Sequence, residues 1–295
     1  MENLIEKAKV LVEAMPYIQK FRNAIVVVKF GGSAMENPSL IKSTMRDVVL
    51  MECIGMRPVI VHGGGKAITA ELTRRNIETR FVNGLRLTCA ETIKVVDEVL
   101  HNVINKNLVE EAALAGGKAV PISGKEILKA ERMYSKDPAT GEVLDIGFVG
   151  DIIGVDAEKI VEAVKNNIIP IIPPLGLGKD GQVYNINADI AACKIAEALK
   201  ARKLVFLSDV PGILRNPKDE STLIPTICTT EIDKMIADKI ISGGMLPKIL
   251  SCLHALNAGT SQVHMIDGRI EHSLLLEIFT DRGVGTQIVK PDSAI

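Results

Sequence analysis

The chain has 295 residues, of which 47% are hydrophobic, 24% are charged and 3% are aromatic, and its formal net charge is −1. This length and apolar content suffice to bury a large core, as one large or two modest domains. No basic excess is available to grip a nucleic-acid backbone, and the shortage of aromatic rings disfavours base-stacking platforms. We therefore expect a globular protein without a nucleic-acid partner.

The predicted location is the cytoplasm, with no membrane partner. No apolar run approaches the length of a membrane span. Glu2, Glu6 and Glu13 interrupt the apolar N-terminus, which is unlike a signal peptide. The five cysteines are odd in number, widely spaced and without a Cys-x-x-Cys pair, so we expect reduced and mostly buried thiols.

Residues 2–21 carry one apolar stripe, which predicts a single amphipathic helix. This helix either packs on its own domain or forms an arm that packs on another subunit. The stripe consists of Leu4, Ala8, Leu11, Met15 and Ile18.

The next part of the chain repeats the order strand, glycine turn, helix. The β-branched run Ile25–Phe30 predicts a strand buried on both faces, and Pro58–Val61 predicts a second one. This repetition predicts a parallel α/β sheet whose working edge lies at the carboxyl ends of the strands. Further strands are expected at 119–123, 168–172, 203–207, 262–266 and 286–289. Further helices are expected near 38–54, 66–75, 89–115, 156–166, 229–238, 246–258 and 270–278, with an alanine-rich helix that ends near 201.

Two local patterns refine this outline. Turn residues within 124–154, such as Asp137-Pro138, predict hairpins rather than a βα unit. Thr88 and Glu91 have the spacing of a capping box at the start of the helix 89–115. We expect two lobes that share one sheet and meet near residue 200.

Three glycine turns at element ends indicate a phosphate site. They are Gly31-Gly32, Gly63-Gly64-Gly65 and Gly243-Gly244, with Lys29 before the first and Lys248 after the last. Bare backbone N–H groups beside a fixed lysine suit a phosphoryl group. The helix dipole disfavours a lysine early in a helix, and an anion beside the lysine would offset this unfavourable energy. The alternative for Lys29 is a solvated lysine at a strand end.

Four other polar residues are candidates for ligand binding. Asn185 and Asn187 are two apart on an extended segment, so both can offer amide groups to one ligand. Asp189 follows them at a helix start, where an acid also favours the helix dipole. Arg86 suits bidentate recognition of a carboxylate, the alternative being a surface arginine at a helix start.

Two familiar nucleotide motifs do not account for these residues. The pattern GxxxxGK[ST] is absent. The pattern GxGxxG occurs at 176–181, but the segment Gln182–Ile186 after it looks extended rather than helical. A nicotinamide-dependent dehydrogenase is therefore disfavoured.

The motifs VVVKFGGSAM, VIVHGGGKAI, NGLRLT, YNINAD, LVFLSDVPGIL and SGGMLPKI, in that order, resemble those of the amino acid kinase family over residues 24–290. The resemblance is closest to the branch that phosphorylates the γ-carboxylate of N-acetyl-L-glutamate in arginine biosynthesis. It implies an open αβα sandwich with a mainly parallel central sheet. It divides the chain into an oligomerisation helix (1–21), a lobe for the acetylated amino acid (22–200) and a lobe for ATP and an arginine effector (201–295).

The resemblance also implies a role for each candidate residue. Lys29 and Lys248 would stabilise the transferring phosphoryl group, and Asp189 would orient both lysines. The acetylated amino acid would contact Gly64, Gly65, Arg86, Asn185 and Asn187. ATP, bound with Mg²⁺, would contact Gly31, Gly32, Ser208, Asp209, Gly212, Leu214, Gly243, Gly244 and Met245. Lys66 stands where the family pattern has proline, and Cys89 stands where the pattern has an acid.

The two ends of the chain resemble the branch of the family that forms hexamers, as trimers of dimers, and is inhibited by arginine. The implied effector residues are Tyr17, His264, Glu277 and Gly283. Gly283 is the last residue of the segment Ile278-Phe279-Thr280-Asp281-Arg282-Gly283, and the other three precede this segment. Two other functions stay open. One is a kinase of the same family for carbamate, aspartate, glutamate or UMP, and the other is a non-catalytic arginine sensor on a kinase fold.

Overall fold

The structure is a computed structural model that describes residues 2–137, 140–280 and 282–291, without the side chains of residues 2–4 and 7. Three parts of the predictions therefore lie outside the described residues: the side chain of Leu4, Pro138 and Asp281. Within them, no helix is both long and apolar enough to cross a bilayer.

The helices agree in order with those predicted, except for the one-turn helix Gly124–Ile127, which was not predicted. They are α1 (Glu2–Glu13), α2 (Met15–Phe21), α3 (Pro38–Cys53), α4 (Gly65–Arg74), α5 (Ala90–Glu98), α6 (Lys106–Leu114), α7 (Gly124–Ile127), α8 (Glu158–Lys165), α9 (Ala188–Ala198), α10 (Ile232–Ala237), α11 (Met245–Asn257) and α12 (Ser273–Ile278). A π-helical segment, Val99–Asn105, joins α5 to α6, and a short 3-10 turn, Gly32–Met35, follows the first strand.

The strands are β1 (Ile25–Phe30), β2 (Arg57–His62), β3 (Phe81–Val82), β4 (Leu85–Arg86), β5 (Ala119–Pro121), β6 (Leu128–Lys136), β7 (Val143–Val155), β8 (Ile169–Ile172), β9 (Leu175–Gly178), β10 (Val183–Asn185), β11 (Lys203–Ser208), β12 (Thr226–Cys228), β13 (Gln262–Asp267) and β14 (Thr286–Val289).

An eight-stranded sheet in the order β12-β14-β13-β11-β1-β2-β8-β5 forms the centre of the molecule. β1 lies in its middle and runs parallel to β2 and β11, so that Lys29 lies opposite Val61 and Phe206. β14 is antiparallel to β13, and β12 is parallel to β14. The mainly parallel sheet is thereby confirmed. Strands from before residue 200 occupy one half of it, and strands from after residue 200 occupy the other.

The core lies on both faces of this sheet because β1 sends alternate side chains to each. Val27 joins a cluster with α8, α9 and α11, whereas Val26 and Val28 join a cluster with α3, α4, α5, α6 and α12. Burying each such valine contributes about 1.5–3 kcal/mol. The result is the predicted three-layer αβα arrangement.

A second, smaller sheet packs beside the central one. It is a closed barrel of β10, β7, β6 and β9, in which β6 and β7 form an antiparallel hairpin. This confirms the predicted hairpins. β9 and β10 are also antiparallel, so the GxGxxG sequence lies in a hairpin and does not open onto a helix.

Four predictions need correction. The N-terminal segment is two helices, α1 and α2, with Pro16 in the first turn of α2. The helix predicted at 89–115 contains the π-helical segment. The capping box is wrong, because α5 begins at Ala90 and the Thr88 hydroxyl donates instead to the Arg86 carbonyl over 2.8 Å. The thiols are not mostly buried, since only Cys193 and Cys252 are. Strands β3, β4, β9 and β12 were not predicted.

Candidate active site

One carboxylate holds two lysines, one from strand β1 and one from helix α11. Asp189 Oδ1 lies 2.9 Å from Lys29 Nζ, and Asp189 Oδ2 lies 3.0 Å from Lys248 Nζ. Lys29 is delivered by the end of the buried strand β1, and Lys248 by the first turn of α11. The anion that the position of Lys248 calls for is therefore Asp189.

The geometry of Asp189 is set by the start of α9. The Asn187 side chain caps this helix, because its Oδ1 accepts from the Asp189 N–H over 2.8 Å and from the Ile190 N–H over 3.3 Å. Burial alone would raise the pKa of Asp189, but the charges of Lys29 and Lys248 hold it below its ordinary value. The carboxylate is therefore ionised at neutral pH and can position both ammonium groups.

The glycine turns after β1 and β2 lie beside these charges, where close approach excludes a side chain. A Cβ on Gly31 would lie 2.6 Å from Lys29 Nζ. A Cβ on Gly64 would lie 2.5 Å from Ile104 Cδ1 in the π-helical segment. Gly32 has φ +70°, a conformation that favours glycine. Gly31, Gly32 and Gly64 line the same cavity as Lys29, so their backbone is within reach of a ligand there.

A cavity of about 240 Å³ opens at this point and contains most of the predicted catalytic and substrate residues. Lys248 and the nucleotide residues beyond the first glycine turn do not line it. The predicted residues that line it are Lys29, Gly31, Gly32, Gly64, Gly65, Arg86, Asn185, Asn187 and Asp189.

Arg86 lies in the wall of this cavity, in strand β4 rather than at a helix start. Its Nη2 donates to the Gly65 carbonyl and to Thr69 Oγ1, both over 2.8 Å. Its Nη1 is buried and has no hydrogen-bond partner among the described residues. Burial lowers the pKa of Arg86 from its ordinary value, so an anion in the cavity would stabilise its charge.

Thr88 is a residue of this site that the sequence did not indicate as one. Its hydroxyl donates to the Arg86 carbonyl and accepts from Asn185 Nδ2 over 3.2 Å. The β6–β7 hairpin packs against it, because the Phe148 N–H donates to the Thr88 carbonyl over 2.7 Å. Thr88 thus ties two predicted substrate residues to the barrel. Its place in the NGLRLT motif was the only signal.

Apart from Gly31 and Gly32, the predicted nucleotide residues lie between the last residue of β11 and the first residue of α11. Asp209 contacts Ser33 across the sheet, with its Oδ1 2.7 Å from the Ser33 nitrogen. Gly212 has φ +148°, and a Cβ there would lie 2.5 Å from Thr286 Oγ1. Leu214 bridges to Leu223. The remaining members are Ser208 at the end of β11, Gly243 and Gly244 before α11, and Met245, which begins α11.

The two departures from the family pattern lie at the edge of the site. Lys66 is exposed in the first turn of α4 and forms an ion pair with Glu36 over 2.6 Å. Cys89 occupies the residue position just before α5, and a hydrogen bond with Thr92 lowers the pKa of its thiol. A larger cavity of about 810 Å³ shares Gly32, Gly64 and Gly65 with the first but contains neither Lys29 nor Asp189.

The four predicted effector residues line a separate cavity of about 290 Å³: Tyr17, His264, Glu277 and Gly283. His264 Nδ1 lies 2.6 Å from Glu277 Oε1, and the Val284 N–H donates to Glu277 Oε2 over 2.7 Å. Lys203 Nζ lies 2.9 Å from His264 Nε2. Burial lowers the pKa of Lys203 to about 8.

Residues 24–267 match the amino acid kinase family. The chain belongs to this family. An enzyme of Akkermansia muciniphila named acetylglutamate kinase is 50% identical over 289 residues, which cover 97% of each chain. The predicted family and the predicted kinase are therefore confirmed.

Solved structures of a related synthase share the fold. The N-acetylglutamate synthase from Neisseria gonorrhoeae complexed with coenzyme A and N-acetyl-glutamate superposes with TM-score 0.83 and 25% identity, over 96% of this chain and 63% of that one. The same synthase complexed with coenzyme A and L-arginine gives TM-score 0.79 and 25% identity, over 96% and 65%. The amino acid kinase chain thus spans less than two thirds of that synthase.

Proposed function

We propose that this amino acid kinase transfers the γ-phosphoryl group of ATP to the γ-carboxylate of N-acetyl-L-glutamate, an early step of arginine biosynthesis. One observation carries the proposal. Arg86, whose Nη1 is buried and has no hydrogen-bond partner in the described part of the chain, lines the same cavity as Lys29 and Asp189. A ligand with two carboxylates can place one against Arg86 and the other near the lysines. The relative with 50% identity bears the name of this activity.

The chemistry needs no general base. A γ-carboxyl group has a pKa of about 4.3, so it is ionised at neutral pH. One carboxylate oxygen attacks the γ-phosphorus, the bond to the β–γ bridging oxygen breaks, and its electron pair leaves with ADP. The obstacle is repulsion between two anions. Lys29 and Lys248, held by Asp189, and the glycine N–H groups oppose it by charge stabilisation and positioning.

Mg²⁺ is proposed to arrive with the nucleotide. Among the described residues, no group of three or more His, Cys, Asp or Glu side chains could hold a metal ion. Both Asp189 oxygens already lie near lysines. When bound to the phosphates, the ion would neutralise part of their charge, and no protein-held metal enters the steps above.

The cavity also bears on the alternatives within the family. Its volume of about 240 Å³ is below the roughly 300–1,000 Å³ of sites for drug-sized ligands. That supports a small acid over UMP. The amide groups of Asn185 and Asn187 support an acetylated amino acid over carbamate, because they can bond its acetamido group.

The test is ADP release with N-acetyl-L-glutamate, glutamate, aspartate, carbamate and UMP as acceptors. Hydroxylamine traps an acyl phosphate as a hydroxamate, so a carboxylate acceptor is distinguished from UMP. We expect turnover and hydroxamate with N-acetyl-L-glutamate. Lys29→Ala or Lys248→Ala should lower kcat by about 10²–10³-fold. Full activity in both variants, or no turnover of N-acetyl-L-glutamate by the wild type, would contradict the assignment.

We also propose that arginine inhibits the enzyme from the second cavity. Glu277 and Lys203 both line this cavity, so they bring an anion and a cation to it. That suits an amino acid with a guanidinium and a carboxylate. The complex of the related synthase with L-arginine supports the choice of ligand. Calorimetric titration with arginine tests it, and arginine binding without ATP binding would instead favour the sensor alternative.

The N-terminal helices are proposed to join subunits. Val10 is 63% exposed and Leu11 is 74% exposed. Exposed apolar side chains of this kind can be buried by contact with another subunit. We propose a hexamer built as a trimer of dimers, with residues 22–200 as the amino-acid lobe and 201–295 as the ATP and effector lobe. Biosynthetic kinase activity and free cysteines support a cytoplasmic location.

A further inference from the structure

The glycine turn after β1 is held in place from the neighbouring strand. The Ser33 N–H and the Ser33 hydroxyl both donate to Asp209 Oδ1, over 2.7 and 2.8 Å. Ser33 lies in the 3-10 turn Gly32–Met35, and Asp209 directly follows β11. Because β1 and β11 are parallel neighbours, this contact joins the carboxyl ends of two strands from the two halves of the sheet.

The fit between the turn and the carboxylate is tight. Gly32 has φ +70°, and a Cβ on it would lie 2.3 Å from Asp209 Oδ1. Any side chain at this position would therefore collide with Asp209 as well as strain the backbone. The missing side chain at Gly32 therefore makes room for Asp209 as well as for a ligand.

Asp209 is charged at neutral pH. Burial would raise its pKa, but the two hydrogen bonds from Ser33 and the charges of Lys66 and Lys29 hold it below its ordinary value. An ionised carboxylate only accepts hydrogen bonds, and hydrogen bonds to it are short and strong.

A charged carboxylate is poorly suited to contact the nucleotide, because it repels phosphate oxygens. Its Oδ1 is also already engaged by Ser33. The same carboxylate is well suited to fix the Ser33 N–H, and with it the orientation of the peptide groups of Gly31 and Gly32 just before. Gly31 and Gly32 line the same cavity as Lys29.

We propose that Asp209 is a positioning residue, which acts through Ser33 to hold the Gly31-Gly32 turn in the conformation required for phosphoryl transfer. This rests on the proposed phosphotransfer, but it does not depend on which acceptor is used. The other end of the 3-10 turn is joined to α4 by the Glu36–Lys66 ion pair, whose members are both exposed. Exposed pairs constrain little, so Asp209 supplies the main restraint.

The test compares the steady-state kinetics of five variants with those of the wild type. Asp209→Ala removes both hydrogen bonds and should lower kcat about 10–100-fold with the KM for ATP changed less than about threefold, because the turn acts mainly in the transition state. Asp209→Asn keeps an oxygen that accepts from both Ser33 groups, so it should retain kcat within about threefold. Ser33→Ala keeps the N–H and should cost less than Asp209→Ala.

A matched control exists in the same part of the chain. Asp219 Oδ1 accepts from the Ser221 N–H over 3.0 Å and from the Ser221 hydroxyl over 2.6 Å, which is the same pattern on an exposed turn. Asp219→Ala should leave kcat and the KM for ATP unchanged. Circular dichroism identifies any variant that fails to fold, and Asp209→Asn keeps the proposal testable if Asp209→Ala does not fold.

The double variant Ser33→Ala/Asp209→Ala decides whether the two residues act together. It should lose no more kcat than Asp209→Ala alone. Additive losses, or a large rise in the KM for ATP with kcat unchanged, would overturn the proposal and make Asp209 a nucleotide contact. Each comparison uses whichever acceptor the wild type turns over. If N-acetyl-L-glutamate is not the acceptor, the assay of the wild type already shows it. If Asp209 has no positioning role, only the comparison of the variants with the wild type shows it.

Discussion

Replacing Asp189 with asparagine tests whether one carboxylate holds both Lys29 and Lys248 in position. Asp189→Asn keeps the shape of the side chain and one acceptor oxygen but removes its charge. The Asn187 cap does not use the Asp189 side chain, so the start of α9 should remain. Lys29 and Lys248 would then repel each other, and neither would be held beside the cavity.

The expected size follows from the two distances. At about 3 Å and an effective dielectric constant of about 20, each ion pair is worth roughly 5–6 kcal/mol before desolvation is subtracted. Breaking a buried pair has a net cost of about 3–5 kcal/mol. The Lys248 side chain is 30% exposed, so water can solvate it, and we expect a loss of about 3 kcal/mol in the free energy of unfolding.

This loss corresponds to a fall in Tm of about 6–12 °C, at about 2–4 °C per kcal/mol. Loss of the preorganised charges should lower kcat by about 10²–10³-fold. A coupled ADP assay at saturating substrates measures kcat, and circular dichroism measures Tm. Glu126→Gln is the control, because it removes an exposed ion pair with Lys159 and should change neither. An Asp189→Asn enzyme with wild-type kcat would refute the reasoning.

Three further predictions concern binding and assembly. Arg86→Lys should raise the KM for N-acetyl-L-glutamate about 10–100-fold with a small change in kcat. The reason is that one ammonium group cannot replace a charge-assisted hydrogen bond to the ligand, worth about 1.5–3 kcal/mol, while it also holds Gly65 and Thr69. An unchanged KM would exclude Arg86 as a ligand contact. Arginine affinity, measured by calorimetry, should fall about fourfold from pH 7 to pH 8.5 as Lys203, with a pKa of about 8, loses its charge, and Lys203→Met should remove this dependence. Deleting residues 2–20 should leave phosphotransfer intact, reduce the oligomer to dimers and weaken arginine inhibition. A truncated protein that sediments like the full-length one would contradict the proposal that the N-terminal helices join subunits.

Local patterns in the sequence were enough to predict most of the fold. The bounds of β1 were predicted to the residue, because four β-branched side chains in a row have few alternatives to a buried strand. The hairpins and the extended segment after Gly181 followed from turn residues. Strand β12 was missed because its three residues carry no periodicity and form a strand only by pairing with β14.

The sequence by itself determined the types of the reacting residues. Lys29, Asp189 and Lys248 stand in motifs, and the helix dipole already favoured an anion near Lys248. Only the tertiary structure decided which groups meet, because parallel strand ends bring together residues that lie far apart in the chain. Asn187 was expected to bind substrate, and it also caps α9. Asp209 was assigned to the nucleotide, yet its carboxylate lies against Ser33, a contact that no local pattern encodes.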